Sequence, residues 1–237
     1  MEKLLSQLVG KLQKAHGERL IAVVLYGSAA SGDYQPRYSS IDVLCVFTEV
    51  APPELFAVEE ISRWWRDTAK STLLLMEELE LAESAACFAL EFTDIQRCHR
   101  LLYGKDVVSS LAIGPQVYRA QVERDLLAKL LRVRWKAAAM MSHPALLREL
   151  LLDSVSTFCV LFRHALALRG VDAPQKKREA IALAREHFQI DSAAFEKLLD
   201  VREGRIKPRE ADPVALLRPY MEGIRQVVAR MQRQDTG

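Results

Sequence analysis

Two short apolar runs limit the folds that this chain can adopt more than any other feature of its sequence. The runs are LIAVVLYG, which begins at Leu20, and IDVLCVF, which begins at Ile41. Continuous apolar runs of this length, rich in β-branched residues, are typical of strands that are buried on both faces. A third apolar run, ACFALEFTDI from Ala86, predicts another central strand. The N-terminal part of the chain therefore predicts a small sheet whose faces are covered by helices.

Helical patterns surround these strands and fill the rest of the chain. Before residue 114 we expect helices over residues 2–15 and about 53–69, and a helix or turn through RCHRLLYGKD up to Gly104. Beyond Gly114 the periodicity is helical throughout, over residues 116–141, 145–169, 174–188, a stretch after Asp191, and about 213–232. We therefore predict an α+β fold with two domains, residues 1–114 with the sheet and residues 115–237 as an all-α helical bundle. Trp135, Phe158 and Phe162 are expected in the core of the bundle.

The charge balance and the cysteines exclude several classes of function. With 33 basic and 31 acidic residues the formal net charge is +2, which argues against long duplex DNA or a membrane surface as partner. No apolar stretch approaches the roughly 18 uncharged residues that predict a membrane span. The four cysteines are scattered without a CxxC pair, so we expect no disulfide framework and a location in the reducing cytoplasm.

A Gly-Ser turn follows the first predicted strand. Gly27 and Ser28 open a short helix, and this geometry presents free backbone N–H groups and the positive end of a helix dipole to a phosphate. On the next predicted strand, Ser40 and Asp42 are two residues apart and should project from the same face. Glu91 is a second carboxylate, on the non-core face of the third predicted strand. Asp42 lies in a strand so apolar that a carboxylate is costly there unless it is paired or binds a metal, whereas Glu91 would also suit a solvated position on an edge strand. Together these features suit Mg²⁺ and a nucleoside triphosphate.

The stretch GSAASGDYQPRYSSIDVLCV resembles the signature of the DNA polymerase β-like nucleotidyltransferase superfamily, in which Gly-Ser is followed by Asp-x-Asp on the next strand. The resemblance implies a triphosphate held at the Gly-Ser turn, and two metal ions held by Asp-x-Asp and by a third carboxylate on a later strand. By position, Gly27 and Ser28 match the triphosphate turn. Asp42 matches the second aspartate, and Glu91 is the candidate for the third carboxylate. The resemblance also implies a small mixed sheet with flanking helices, followed by a helical bundle as in aminoglycoside nucleotidyltransferases.

One position departs from this signature. Ser40 stands where the superfamily has the first aspartate, and a neutral hydroxyl is a weak ligand for Mg²⁺. Ser40 would then contact the nucleotide together with Gly27 and Ser28. The metal site formed by Asp42 and Glu91 would be weakened, because Ser40 contributes no negative charge. Catalysis would suffer in turn, since nucleotidyl transfer relies on paired metal ions.

Two functions are compatible with this motif. The first is an enzyme, with Asp42 and Glu91 as catalytic residues, that transfers a nucleoside monophosphate from a nucleoside triphosphate to a hydroxyl of a small molecule or a protein. The second is a catalytically degenerate member that binds a nucleotide or a protein partner without turnover. The helical bundle would serve to bind substrate, to form a homodimer, or as a structural support.

Overall fold

The computed structural model describes residues 1–32, 34 and 39–232, so the predicted loop around Pro36 lies outside the described residues. The chain forms two compact units, Met1–Tyr118 and Arg119–Gly237. The first unit contains the sheet, and the second is built from helices. The predicted α+β fold, a small mixed sheet with flanking helices followed by a helical region, is confirmed.

A mixed four-stranded sheet forms the centre of the first unit. Its strands are β1 (Leu20–Tyr26), β2 (Asp42–Phe47), β3 (Leu73–Glu77) and β4 (His99–Gly104), in the order β3-β2-β1-β4. β1 is antiparallel to both β2 and β4, whereas β2 and β3 are parallel. The apolar runs LIAVVLYG and IDVLCVF therefore form the two central strands, where a strand is buried on both faces.

Helices cover both faces of this sheet. They are α1 (Glu2–His16), α2 (Ser28–Ser31), α3 (Pro52–Ala69), α4 (Glu78–Cys87) and α5 (Ala89–Arg97). Alternate side chains of β2 enter opposite apolar layers, so Val43 and Cys45 pack with α1 and α3 while Leu44 packs with α4 and α5. Trp65 of α3 is completely buried in the first layer. Because both layers depend on this alternation, the register between β1 and β2 is strongly specified.

The prediction of a third strand from residue 86 is wrong. Residues 89–97 form α5, in which Ala89, Phe92 and Ile95 are buried at helical spacing. A short apolar run can form a strand or a buried helix, and periodicity alone does not separate the two. β3 forms instead from the segment LLLME, and β4 forms from part of the segment for which the sequence predicts a helix or turn. Both are edge strands with half-exposed side chains, so their apolar patterns are weak and pairing with the sheet decides their conformation.

Long helices make up the second unit. They are α6 (Pro115–Ala138), which begins just before the unit, α7 (Pro144–Ala167), α8 (Lys177–Phe188), α9 (Ala193–Arg202) and α10 (Pro213–Gln232). α7 lies at the centre and packs against α8, α9 and α10. No helix within the described part of the chain is long and apolar enough to cross a membrane.

An aromatic cluster holds the helical unit together. Phe158 and Phe162 of α7 are fully buried, as predicted, and their rings contact those of Tyr220 and Phe195, with centroids 5.8 and 5.4 Å apart. The prediction for Trp135 is wrong, because its side chain is 75% exposed. α6 buries Val133 and Ala137 on the opposite side of the helix.

Candidate functional site

A sharp turn joins β1 to α2. Gly27 has φ 70° and ψ −151°, a conformation essentially restricted to glycine. Its carbonyl oxygen accepts hydrogen bonds from the backbone N–H groups of Ala30 and Ser31, both at 3.1 Å. The N–H groups of Ser28 and Ala29 come before these bonds and therefore have no partner inside the helix. They lie at the positive end of the helix, where an anion is favoured.

The carboxylate of Asp42 lies against this turn. Tyr26 and Asp42 are opposite each other at the end of the β1–β2 ladder. A Cβ atom added to Gly27 would lie 3.0 Å from Asp42 Oδ2, so the missing side chain at residue 27 leaves the space that the carboxylate uses. The structure thus brings together the predicted turn and the predicted aspartate.

A hydroxyl from the neighbouring segment also contacts Asp42. Ser71, just before β3, donates a hydrogen bond from Oγ to Asp42 Oδ1 at 3.3 Å. The parallel pairing that places Val43 opposite Leu73 brings Ser71 to this end of the sheet. β3 itself carries no carboxylate before Glu77, which caps α4. Ser71 was not among the predicted site residues because β3 was not predicted, although the apolar run from Leu73 indicates a strand.

Ser40 precedes the strand that carries Asp42. β2 begins at Asp42, so Ser40 lies in the connecting segment, with its side chain half-buried. The structure does not support a common strand face for Ser40 and Asp42. The chemical departure at residue 40 is unchanged, since a hydroxyl stands where the signature has a carboxylate.

Glu91 lies on a helix rather than on a strand. It belongs to the first turn of α5, where its side chain is exposed while its neighbours Leu90 and Phe92 are buried. The predicted strand face for Glu91 is therefore wrong, because the residues around it satisfy a helical pattern. A carboxylate in the first turn of a helix also has an ordinary structural role, since it interacts favourably with the helix dipole.

Tyr26 connects the two predicted carboxylates electrostatically. Burial raises the pKa of Tyr26 to about 12, and Asp42, Cys45 and Glu91 act in the same direction. Asp42 and Glu91 are therefore both close enough to act on the Tyr26 hydroxyl, which stays protonated at neutral pH and can donate a hydrogen bond. Tyr26 was not among the predicted site residues, although its place at the end of an apolar run and beside the glycine turn indicates a role there.

These side chains do not form the group of carboxylates that a pair of metal ions requires. Among residues 1–32, 34 and 39–232, no three His, Cys, Asp or Glu side chains come together in a way that could hold a metal ion. Asp42 lies next to the hydroxyl of Ser71, and Mg²⁺ binds chiefly through carboxylates, phosphates and water. The donors present therefore do not fit a two-metal site, although Asp42 remains a single charged ligand.

An α+β domain with a glycine turn after its first strand, and an aspartate beside that turn on the next strand, is the arrangement of a nucleotidyltransferase domain. Residues 5–91 match the family model described as nucleotidyltransferase domain. This match supports a DNA polymerase β-like nucleotidyltransferase superfamily for this part of the chain. A comparison with curated protein sequences gives no match.

Solved structures with a similar fold include one that resembles the whole chain. The spectinomycin adenyltransferase AAD(9) from Enterococcus faecialis, crystallised with ATP and spectinomycin, is 14% identical with a TM-score of 0.59. That match covers 97% of this chain and 99% of the other. A toxin–antitoxin complex with AMP-PNP is 17% identical with a TM-score of 0.30, over 42% of this chain and 73% of that one. The tri-AMPylated Shewanella oneidensis HEPN toxin in complex with its MNT antitoxin is 18% identical with a TM-score of 0.29, over 44% of this chain and 74% of that one. The likeness to the adenyltransferase supports the fold of the complete chain.

Proposed function

We propose that this protein binds a nucleoside triphosphate at the Gly27–Ser28 turn and does not transfer the nucleotide at a useful rate. The observation that carries the proposal is the composition of the site around Asp42. One carboxylate lies against the turn, and hydroxyls stand at residues 40 and 71. Phosphate oxygens would accept hydrogen bonds from the N–H groups of Ser28 and Ala29, which have no partner inside the helix, and from the Ser28 hydroxyl.

The same composition separates binding from chemistry. Asp42 would supply one charged ligand to a Mg²⁺ ion carried by the triphosphate. Transfer by this class of enzyme relies on a second metal ion that activates the attacking hydroxyl. Ser40 and Ser71 contribute no negative charge for such an ion, so nucleotide binding should persist where catalysis does not.

A second candidate function is nucleotidyl transfer itself. It is favoured by Glu91, because its charge and that of Asp42 both raise the pKa of the Tyr26 hydroxyl. It is also favoured by the fold, which resembles an adenyltransferase along the complete chain. Under this alternative the acceptor would be a hydroxyl of a small molecule or of a protein, and Glu91 would act as a metal ligand.

Calorimetric titration with the four common nucleoside triphosphates, with and without Mg²⁺, tests binding. We expect the wild-type protein to bind at least one of them. The variant Ser28→Ala should bind it about three- to tenfold more weakly, the range expected for one lost hydrogen bond. Ser31→Ala is the matched control on the same helix, because the Ser31 hydroxyl is already bonded to the Ser28 carbonyl oxygen at 3.2 Å. Absence of binding in the wild-type protein would contradict the proposal.

A pyrophosphate-release assay separates the two candidate functions. For the first candidate, the wild-type protein should release no pyrophosphate above background with small-molecule or protein acceptors. Ser40→Asp should then make nucleotide binding more dependent on Mg²⁺, since it adds a second carboxylate near Asp42. Acceptor-dependent release that Asp42→Ala and Glu91→Gln both abolish would establish the second candidate instead.

A further inference from the structure

Three cationic side chains lie on one face of α6, remote in sequence from the nucleotide turn. Lys129, Arg132 and Lys136 follow each other at spacings of three and four residues, which places them side by side on the helix. None of the three forms an ion pair with a carboxylate in the part of the chain that the structure describes. Like charges at this spacing repel each other, so the cluster is unfavourable to the helix unless an anion offsets it.

A cavity of about 220 Å³ lies between this cationic face and α7. Its walls include the apolar side chains Val133 and Leu150, which give it an apolar floor. From α7 come the exposed hydroxyl of Thr157 and the exposed carboxylate of Asp153. The cavity therefore combines an apolar floor, a cationic wall and a hydroxyl, which are the ingredients of a site for a compact organic anion.

We propose that this cavity binds a phosphate monoester with a small apolar or aromatic body. The three cations and Asp153 give the lining a net charge of +2, which matches the charge of about −1.5 to −2 that a phosphate monoester carries at pH 7. The guanidinium of Arg132 can hold two phosphate oxygens at once, and the lysines add point charges. The apolar body would rest on Val133 and the half-buried Leu150. The volume is below the range usual for larger cofactors, so a compact ligand is expected.

The site is independent of the proposed nucleotide site. All residues that line it belong to the helical unit, and the proposal needs neither Gly27 nor Asp42. A failure of one proposal therefore leaves the other standing.

Calorimetric titration of the full chain with phenyl phosphate and with inorganic phosphate tests the site. Phenyl phosphate should bind at least about tenfold more tightly, because its ring is buried on the apolar floor. The double variant Arg132→Gln/Lys136→Gln should weaken phenyl phosphate binding by about tenfold or more. Arg185→Gln/Lys197→Gln is the matched control, because it removes the same charge from exposed positions of α8 and α9 and should change the affinity by less than about twofold.

A variant that should bind more tightly separates loss of the site from misfolding, because a folding defect does not increase affinity. Asp153→Asn removes the one carboxylate of the lining and should tighten phenyl phosphate binding severalfold, since it lifts a repulsion on the anion. Equal losses in the two double variants would show general electrostatic attraction and overturn the proposal. So would an Asp153→Asn protein with unchanged affinity, or a wild-type protein that binds inorganic phosphate as well as phenyl phosphate.

Discussion

Gly27→Ala tests the geometry that connects the turn to Asp42. The backbone at residue 27, with φ 70° and ψ −151°, lies in a region that costs a residue with a side chain about 1–3 kcal/mol. The new Cβ would also lie 3.0 Å from Asp42 Oδ2, so the carboxylate must move and its hydrogen bond from Ser71 weakens. The lower entropy of an unfolded chain with alanine offsets about 0.4–1 kcal/mol of this. We expect the free energy of unfolding of the first unit to fall by about 2 kcal/mol.

Urea unfolding followed by tryptophan fluorescence measures this loss. Trp64 and Trp65 lie in the first unit, so a Trp135→Phe background confines the signal to that unit. Gly32→Ala is the matched control, because Gly32 also has positive φ at 77° but a Cβ there would meet nothing within 4 Å. It should cost about 1 kcal/mol or less, since it adds backbone strain without a contact. At the other extreme, Gly104→Ala would collide with the backbone of Ile21 and should prevent β1 and β4 from pairing.

A double-mutant cycle separates the contact from the backbone strain. Combined with Asp42→Ala, the substitution Gly27→Ala should cost less than it does alone, because the carboxylate that its Cβ meets is gone. If Gly27→Ala costs no more than Gly32→Ala, or if the two substitutions at residues 27 and 42 are additive, the contact between the turn and Asp42 does not exist as described.

Two further predictions concern charge. In an ultraviolet difference titration, Tyr26 should ionise near pH 12, and the variant Tyr26→Phe identifies its signal. Glu91→Gln should lower the pKa of Tyr26, because it removes a negative charge that raises it. An unchanged pKa would show that Glu91 lies too far from Tyr26 to act on it. Because this pKa lies above the unfolded value near 10, the group lowers the free energy of unfolding as pH rises from about 10 to 12, by roughly 1.4 kcal/mol per pH unit. In the helical unit, Arg178→Met should cost about 1–3 kcal/mol in urea unfolding, because the guanidinium donates to both carboxylate oxygens of Glu203 at 3.0 and 2.8 Å. The exposed pair of Arg63 and Glu59 is its control, and Arg63→Met should cost less than about 0.5 kcal/mol; equal costs would refute the argument.

The central strands and the helices could be predicted from the sequence because each carries its own pattern. β1 and β2 are buried on both faces, so their apolar runs are continuous, and α7 buries a long series of side chains at helical spacing. The edge strands could not be predicted in the same way. None of the six residues of β4 is fully buried, and only its pairing with β1 makes it a strand. α5 was predicted as a strand because its apolar run suits either structure, and only the burial of its side chains at helical spacing identifies it as a helix.

In the candidate site, too, some features follow from the local sequence and others from contacts between distant segments. The sequence by itself determined the turn at Gly27 and Ser28, the aspartate at residue 42 and the hydroxyl at residue 40, because neighbours along the chain form this motif. Only the tertiary structure decided what surrounds Asp42. The parallel pairing of β2 with β3 brings the Ser71 hydroxyl to its carboxylate across 29 residues of chain. The packing of α5 against the sheet places Glu91 on a helix, within range of Tyr26. Contacts between distant segments depend on how the layers pack, and no local pattern of residues records that packing.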